Sequence, residues 1–238
     1  MNVRFQQRCW LEWCILAFGL PGLIAASSNL VQFAIPAAQH GTLGDRYLLS
    51  IAGGVIAEWI FVVAAWVFLR ANRESFSSLG AWGFGNWAGW SLALLAAALT
   101  IASNLRFFPR MGIPISYAFA PRGVHLIAAL ATGITAGFCE EVLFRALLMS
   151  DFKRAGFGKT AQVILPGIAF GFSHLGYTVH GFVAGAGIMI PTAILGMLWG
   201  VAYLLGRRGL VPCMVAHFLN DATALSWIGF FMFKGSLG

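Results

Sequence analysis

The stretch "AGFCEEVLFRALLM", residues 136–149, sets Glu140, Glu141 and Arg145 in a segment otherwise apolar enough to cross a bilayer. A charged side chain at mid-membrane costs roughly 2.5–3.5 kcal/mol on insertion scales. Three of them on one helix demand compensation from elsewhere in the chain.

Composition supports the bilayer. The chain of 238 residues is 59% hydrophobic and 10% charged, with a mean hydropathy of +0.81. Soluble domains carry about a quarter of their residues charged, so too little polar surface exists here to cover a globule in water. Apolar runs near 11–35, 47–69, 88–107, 124–149, 160–176, 186–206 and 210–233 predict about seven (six to eight) transmembrane helices. The fold class expected is all-α: a polytopic helical membrane protein enclosing a polar intramembrane cavity, with 1–238 a single membrane domain. Within 176–190, "GYTVHGFVAGAGIMI" leaves loop, re-entrant piece and early helical turn open, and Gly181 and Gly185 are spaced for close helix approach. Pro166 and Pro191 are expected to kink their helices, and Pro212 to open the last one.

The net charge of +7 does not indicate nucleic acid, because the basic residues sit in short loops rather than on one face. Arg4, Arg8, Arg70, Arg73, Lys153, Arg154, Lys159, Arg207 and Arg208 fall on one side of the predicted topology; Arg46, Arg106, Arg110, Arg122 and Lys234 fall on the other. The positive-inside rule then puts the N-terminus in the cytoplasm. Arg4 and Arg8 before an apolar run resemble a cleavable leader, but Glu12 and the Trp10/Trp13 pair favour an uncleaved first span. Four scattered cysteines form neither a disulfide scaffold nor a zinc ribbon.

Glu58, Glu140, Glu141, Asp221, His174 and His217 fall inside predicted spans. At 1.5 Å per residue, Glu140 lies about 15 Å from an exit near Ser150, His174 roughly 22 Å from Lys159, and His217 and Asp221 about 12–18 Å from Gly209. The three helices thus place ionisable groups in one slab, where gathering satisfies them mutually. Glu141 and Arg145 are i,i+4, an order that favours pairing; Glu140, about 100° round the helix, is left to face the cavity. His217 and Asp221 repeat the spacing, as do Phe170 and His174. Glu58 reads as an isolated structural group, and His40, His125 and His180 as loop or interface residues. Cys139 points away from the Glu140 face. H-E-x-x-H, G-x-G-D and G-x-S-x-G are absent, and Ser173 and His174, as helix neighbours, diverge. Carboxylate and histidines remain, a set suited to general-base work.

"EEVLFR" (140–145), "FGFSH" (170–174) and "HFLND" (217–221) resemble the E-E-x-x-x-R, F-x-x-x-H and H-x-x-x-N/D motifs of the CPBP family, which includes CAAX prenyl endopeptidases and Abi-type glutamic intramembrane proteases. The resemblance covers about 136–224. It implies proteolysis with no metal and no cofactor, on a membrane-bound or lipidated protein substrate. The implied catalytic residues are Glu140, Glu141, His174, His217 and Asp221, supported by Arg145, Phe170 and Asn220. Glu140 with His174 would activate water, and the third motif would stabilise the oxyanion. Position 221 is Asp where many relatives have Asn: it is protonated, or it orients His217, or Asn220 donates instead. Ala146 replaces a common glycine. A bacterial inner membrane is the expected location. The rivals are a zinc protease using His174, His217 and Glu140, a non-enzymatic scaffold or immunity factor, and a proton-coupled transporter. Oligomeric state stays open.

Overall fold

The computed structural model describes residues 3–35, 40–80, 82–110, 112–225, 231, 234 and 235. Seven helical rods are found among the described residues: α1 (Val3–Ala34, with a π turn at Ile15–Gly19), α2 (Leu43–Ala71), α3 (Trp87–Leu105), α4 (Gly123–Arg154), α5 (Lys159–Phe172), α6 (Phe182–Leu205) and α7 (Val211–Asn220). A π turn, Asp221–Leu225, continues α7. The remainder of the expected last span, 226–230 and 232–233, lies outside the described residues.

The segments holding α1, α2, α3, α4 and α6 are long and apolar enough to cross a membrane. At 14 residues, α5 reaches only about 21 Å, short of ~30 Å of hydrocarbon. The expected span 160–176 therefore divides. Helix α5 stops at Phe172, a turn carries Ser173 and His174, and a 3₁₀ segment follows over Leu175–His180. The glycine-rich stretch after it resolves in the same way. Gly181 takes φ 109°, a conformation that favours glycine, and α6 begins at the next residue. A Cβ on Gly185 would sit 2.4 Å from Cγ2 of Thr178. Within this pair, one glycine turns the chain and the other packs on the segment just before it.

Side-chain distribution is inverted relative to a soluble fold. Helix α2 buries Gly53, Ala57 and Glu58 while exposing Ile56, Ile60, Val63, Trp66 and Val67. Small and polar groups face neighbouring helices and large apolar groups face outward, as lipid requires. The protein is an all-α integral membrane protein. Helix α4 is the central rod, packed on α2 and α7; α6 packs on α3 and α5, and the first half of α1 crosses the C-terminal end of α4.

Helix α4 runs to Arg154, beyond the expected exit near 149, because its polar end is neutralised. Arg8 ion-pairs with Asp151, with Glu12 (3.0 Å) and with Glu74 (3.3 Å). Arg154 bridges Glu74 (2.8 Å) and Asp151 (3.2 Å). Trp13 Nε1 donates to the Leu165 carbonyl at 2.7 Å, and Arg4 donates to Asn72 at 2.7 Å. The N-terminus, the α2–α3 loop and the end of α4 therefore share one end of the bundle. Glu74 lies in that loop, outside the spans. Burial pushes its carboxyl up, but hydrogen bonds from Arg154 and Arg8 outweigh this and hold it below the usual glutamate range. A group depressed in the folded state stabilises above its ordinary pKa and loses that contribution as pH falls through the folded one. Acidification below the ordinary glutamate range is thus expected to lower the unfolding temperature in detergent, modestly because solvent screens the site. Glu74→Gln should flatten that acid limb; an unaltered limb would show that the cluster adds no stability.

Candidate active site

The glutamate pair lies where α4 changes pitch. Gly123–Glu140 is α-helical, Glu141–Leu148 is a π segment, and Met149–Arg154 returns to α. Single π bulges recur at functional sites because they re-aim side chains locally. Sequence periodicity sends Glu140 and Glu141 in different directions, yet one imidazole meets both. His217 of α7 places Nδ1 2.9 Å from Glu141 Oε1 and Nε2 3.4 Å from Glu140 Oε2. Its Nε2 is also 3.7 Å from Asp221 Oδ2, one turn further along.

Glu141 is the committed member of the pair. The oxygen that meets His217 also lies 3.0 Å from an Arg145 guanidinium nitrogen. Arg145 in turn donates to the Gly196 carbonyl at 3.2 Å and lies over the rings of Phe170 (4.5 Å) and Trp199 (5.6 Å). Trp199 is tilted against His217, with centroids 4.5 Å apart. The guanidinium and the imidazole thus share one aromatic wall. Glu140, Glu141, Arg145, His217 and Asn220 are all buried.

His174 reaches the cluster indirectly. Phe170 contacts His174 edge-on at 5.4 Å and His217 at 5.8 Å between centroids, and His174 makes no hydrogen bond to either glutamate among the described residues. Its Nδ1 is 3.0 Å from the Phe170 carbonyl. A carbonyl only accepts, so Nδ1 carries the proton, and in the neutral ring Nε2 then keeps its lone pair. Ser173 Oγ also lies 3.2 Å from that Nδ1. This corrects the expectation that the two side chains diverge, which assumed a helix where the chain makes a turn. The Ser173 hydroxyl donates to the Phe170 carbonyl at 2.7 Å. Asn220 Nδ2 is 3.4 Å from Asp221 Oδ1, and Cys139 is fully buried.

Glu58 is not isolated. It is buried on α2 and interacts electrostatically with Glu140, Asp221 and Cys139. Those partners lie more than eighty residues ahead on other rods, so no local spacing announces them. His125 is buried with Nδ1 2.9 Å from the Tyr117 hydroxyl, whereas His40 is exposed. Among the described residues, no three His, Cys, Asp or Glu side chains form a metal-holding group.

Two glycines let α7 come close enough for His217 to reach the glutamates. A Cβ on Gly137 would stand 2.9 Å from the Met214 carbonyl oxygen, and one on Gly133 3.0 Å from the Phe218 ring. Backbone lies on backbone there. Gly137→Leu is expected to push α7 away, at about 1–3 kcal/mol for overpacking, and to lower both unfolding temperature and site function. A variant with wild-type stability would show that the crossing tolerates bulk.

The fold and the cluster define the class: a helical membrane protein with a buried carboxylate–histidine–arginine network at the junction of its rods. Residues 122–223 match the family model described as "Type II CAAX prenyl endopeptidase Rce1-like". That range runs from just before α4 into the π turn after α7. It contains every member of the cluster except Glu58 on α2. The resemblance to the CPBP family carried by the three motifs is thereby borne out, and it points to a peptidase. No curated protein and no solved structure gives a significant match to the chain.

Proposed function

We propose that this protein is a glutamic-type intramembrane endopeptidase acting on a membrane-anchored or lipidated protein. The observation that carries the reading is the division of labour between adjacent glutamates. Glu141 is bound by Arg145 and His217, while Glu140, among the described residues, meets the Nε2 edge of His217. A base must have a free lone pair within reach of the proton it takes, and Glu140 is the member so placed.

In this reading Glu140 takes a proton from a water molecule that also donates to the unprotonated Nε2 of His174. The hydroxide adds to the scissile carbonyl carbon. The carbonyl oxygen takes up the electron pair as an oxyanion, and His217, as imidazolium, donates to it from Nε2. Glu141 fixes that ring through Nδ1, and Asp221 lies beside Nε2 as an orienting group. Collapse breaks the C–N bond, and the proton held by Glu140 passes to the leaving nitrogen, giving an amine and a carboxylic acid, which returns its own proton to Glu140 or to the amine and leaves as the carboxylate. Donors preset around the developing charge are worth about 10²–10³ in rate.

Substrate would arrive from the bilayer or from the end of the bundle that gathers Arg4, Arg8 and Arg154. By the positive-inside rule that end would face the cytoplasm, in this reading that of a bacterial inner membrane. The test is cleavage in proteoliposomes of a peptide anchored by a C-terminal lipid, with products identified by mass. Cleavage of the anchored peptide is expected. Wild-type protein that leaves both anchored and unanchored peptides intact would overturn the reading.

A further inference from the structure

Every hydrogen bond of His174 among the described residues is local, to Phe170 and Ser173. Its distance from Glu140 is therefore set by how α5 stands against α4. Helix α5 alone is poorly built to hold a stance. It is 14 residues long and carries Pro166 in its interior. A proline removes one rung of the helical ladder and lets the rod bend there, and His174 lies beyond that point.

Helix α1 spans the same point. Trp13 donates from Nε1 to the Leu165 carbonyl at 2.7 Å, just before the proline. Its ring meets Phe172 edge-on at the far end of α5, 6.2 Å between centroids. Phe18 also reaches Phe172, at 5.6 Å, and lies 6.0 Å from Trp13. Residues five apart stand about 140° round a regular helix; the π turn at Ile15–Gly19 lets both rings meet one target. Leu165 and Phe172 share a face of α5 that stands about 150° from Gly167 and Gly171. Those glycines seat α5 closely on Met197 and Ala193 of α6. The short rod is thus gripped from opposite sides. Arg8 fastens α1 to Asp151 of α4, the helix that carries Glu140.

We infer that Trp13 is a positioning residue for His174: α1 clamps α5 across its proline and so sets where Nε2 meets the water that Glu140 deprotonates. This inference rests on the proteolytic reading. Trp13 touches no reacting atom and acts through Leu165 and Phe172. The clamp lies outside the three motifs and outside residues 122–223, so the first rod becomes a working part of the site and not only a membrane anchor.

Trp13→Leu keeps an apolar side chain at a half-buried position and removes both the N–H and the ring. It is expected to lower kcat for the anchored peptide about 10²-fold, the scale of a misplacement of about 1 Å, with KM unchanged. Trp13→Phe keeps a ring against Phe172 and loses only the donor, so kcat should fall less. Pro166→Ala returns the missing N–H to α5; added to Trp13→Leu, it should restore kcat about tenfold, because an unbroken helix stands without the clamp. Amide exchange over 167–174 in detergent should quicken in Trp13→Leu and slow again in the double variant. A Trp13→Leu enzyme within twofold of wild type would overturn the assignment. So would a loss carried by KM, a loss that Pro166→Ala leaves uncorrected, or exchange over 167–174 that does not change. A wild-type protein as inert as Glu140→Gln would overturn the proteolytic reading and this inference with it, a result distinct from the others.

Discussion

Glu140→Gln is expected to fold like the wild type and to lose peptide cleavage about 10²–10⁴-fold, the contribution of a positioned general base. The amide matches the carboxyl in volume and can still meet His217 Nε2, now 3.4 Å from Glu140 Oε2. It cannot take a proton from water. Because Glu140 makes no ion pair with Arg145, its neutralisation leaves the Glu141–Arg145 bond in place, and unfolding temperature should hold. Cleavage of the anchored peptide by purified wild-type and variant protein provides the measurement. Normal turnover by Glu140→Gln would remove Glu140 from the chemistry.

Arg145→Met is expected to give the largest loss of stability. Polar contacts between membrane helices are commonly worth under about 1 kcal/mol, and on that scale the change would be mild. Arg145 is different because it is the permanent cation against fully buried Glu141. Removing one member of a buried pair leaves an uncompensated charge and costs about 3–5 kcal/mol. The methionine keeps contact with Phe170 and Trp199, so packing loss contributes little. The paired change Glu141→Gln/Arg145→Met should recover much of the loss, because no charge is then stranded. Thermal unfolding in detergent compares the two. A double variant as unstable as Arg145→Met alone would assign the cost to packing.

Much of the architecture was legible where lipid itself dictates pattern. Apolar runs marked the rods, and the i,i+4 spacings of Glu141 with Arg145 and of His217 with Asp221 survive as contacts of 3.0 and 3.7 Å. What escaped was whatever depends on a departure from regular pitch or on a partner far along the chain. The π segment brings Glu140 and Glu141 to one imidazole although a regular helical wheel separates them. His174 sits on a turn just past the end of α5, where an unbroken helix was expected. Glu58 seemed solitary because its neighbours belong to other rods. Gly133 and Gly137 look like any small-residue pair until α7 is laid across them.

The cluster around Arg8 bears on how the molecule is made. Its partners Glu74 and Asp151, and the carbonyl of Leu165 that receives Trp13, emerge from the ribosome long after the first rod has entered the bilayer. Until then Arg8 and Glu12, one turn apart and 3.0 Å from each other, shield one another. The opening helix therefore travels as a self-neutralised hairpin partner in waiting, and its final seat forms when the end of α4 arrives to claim the arginine.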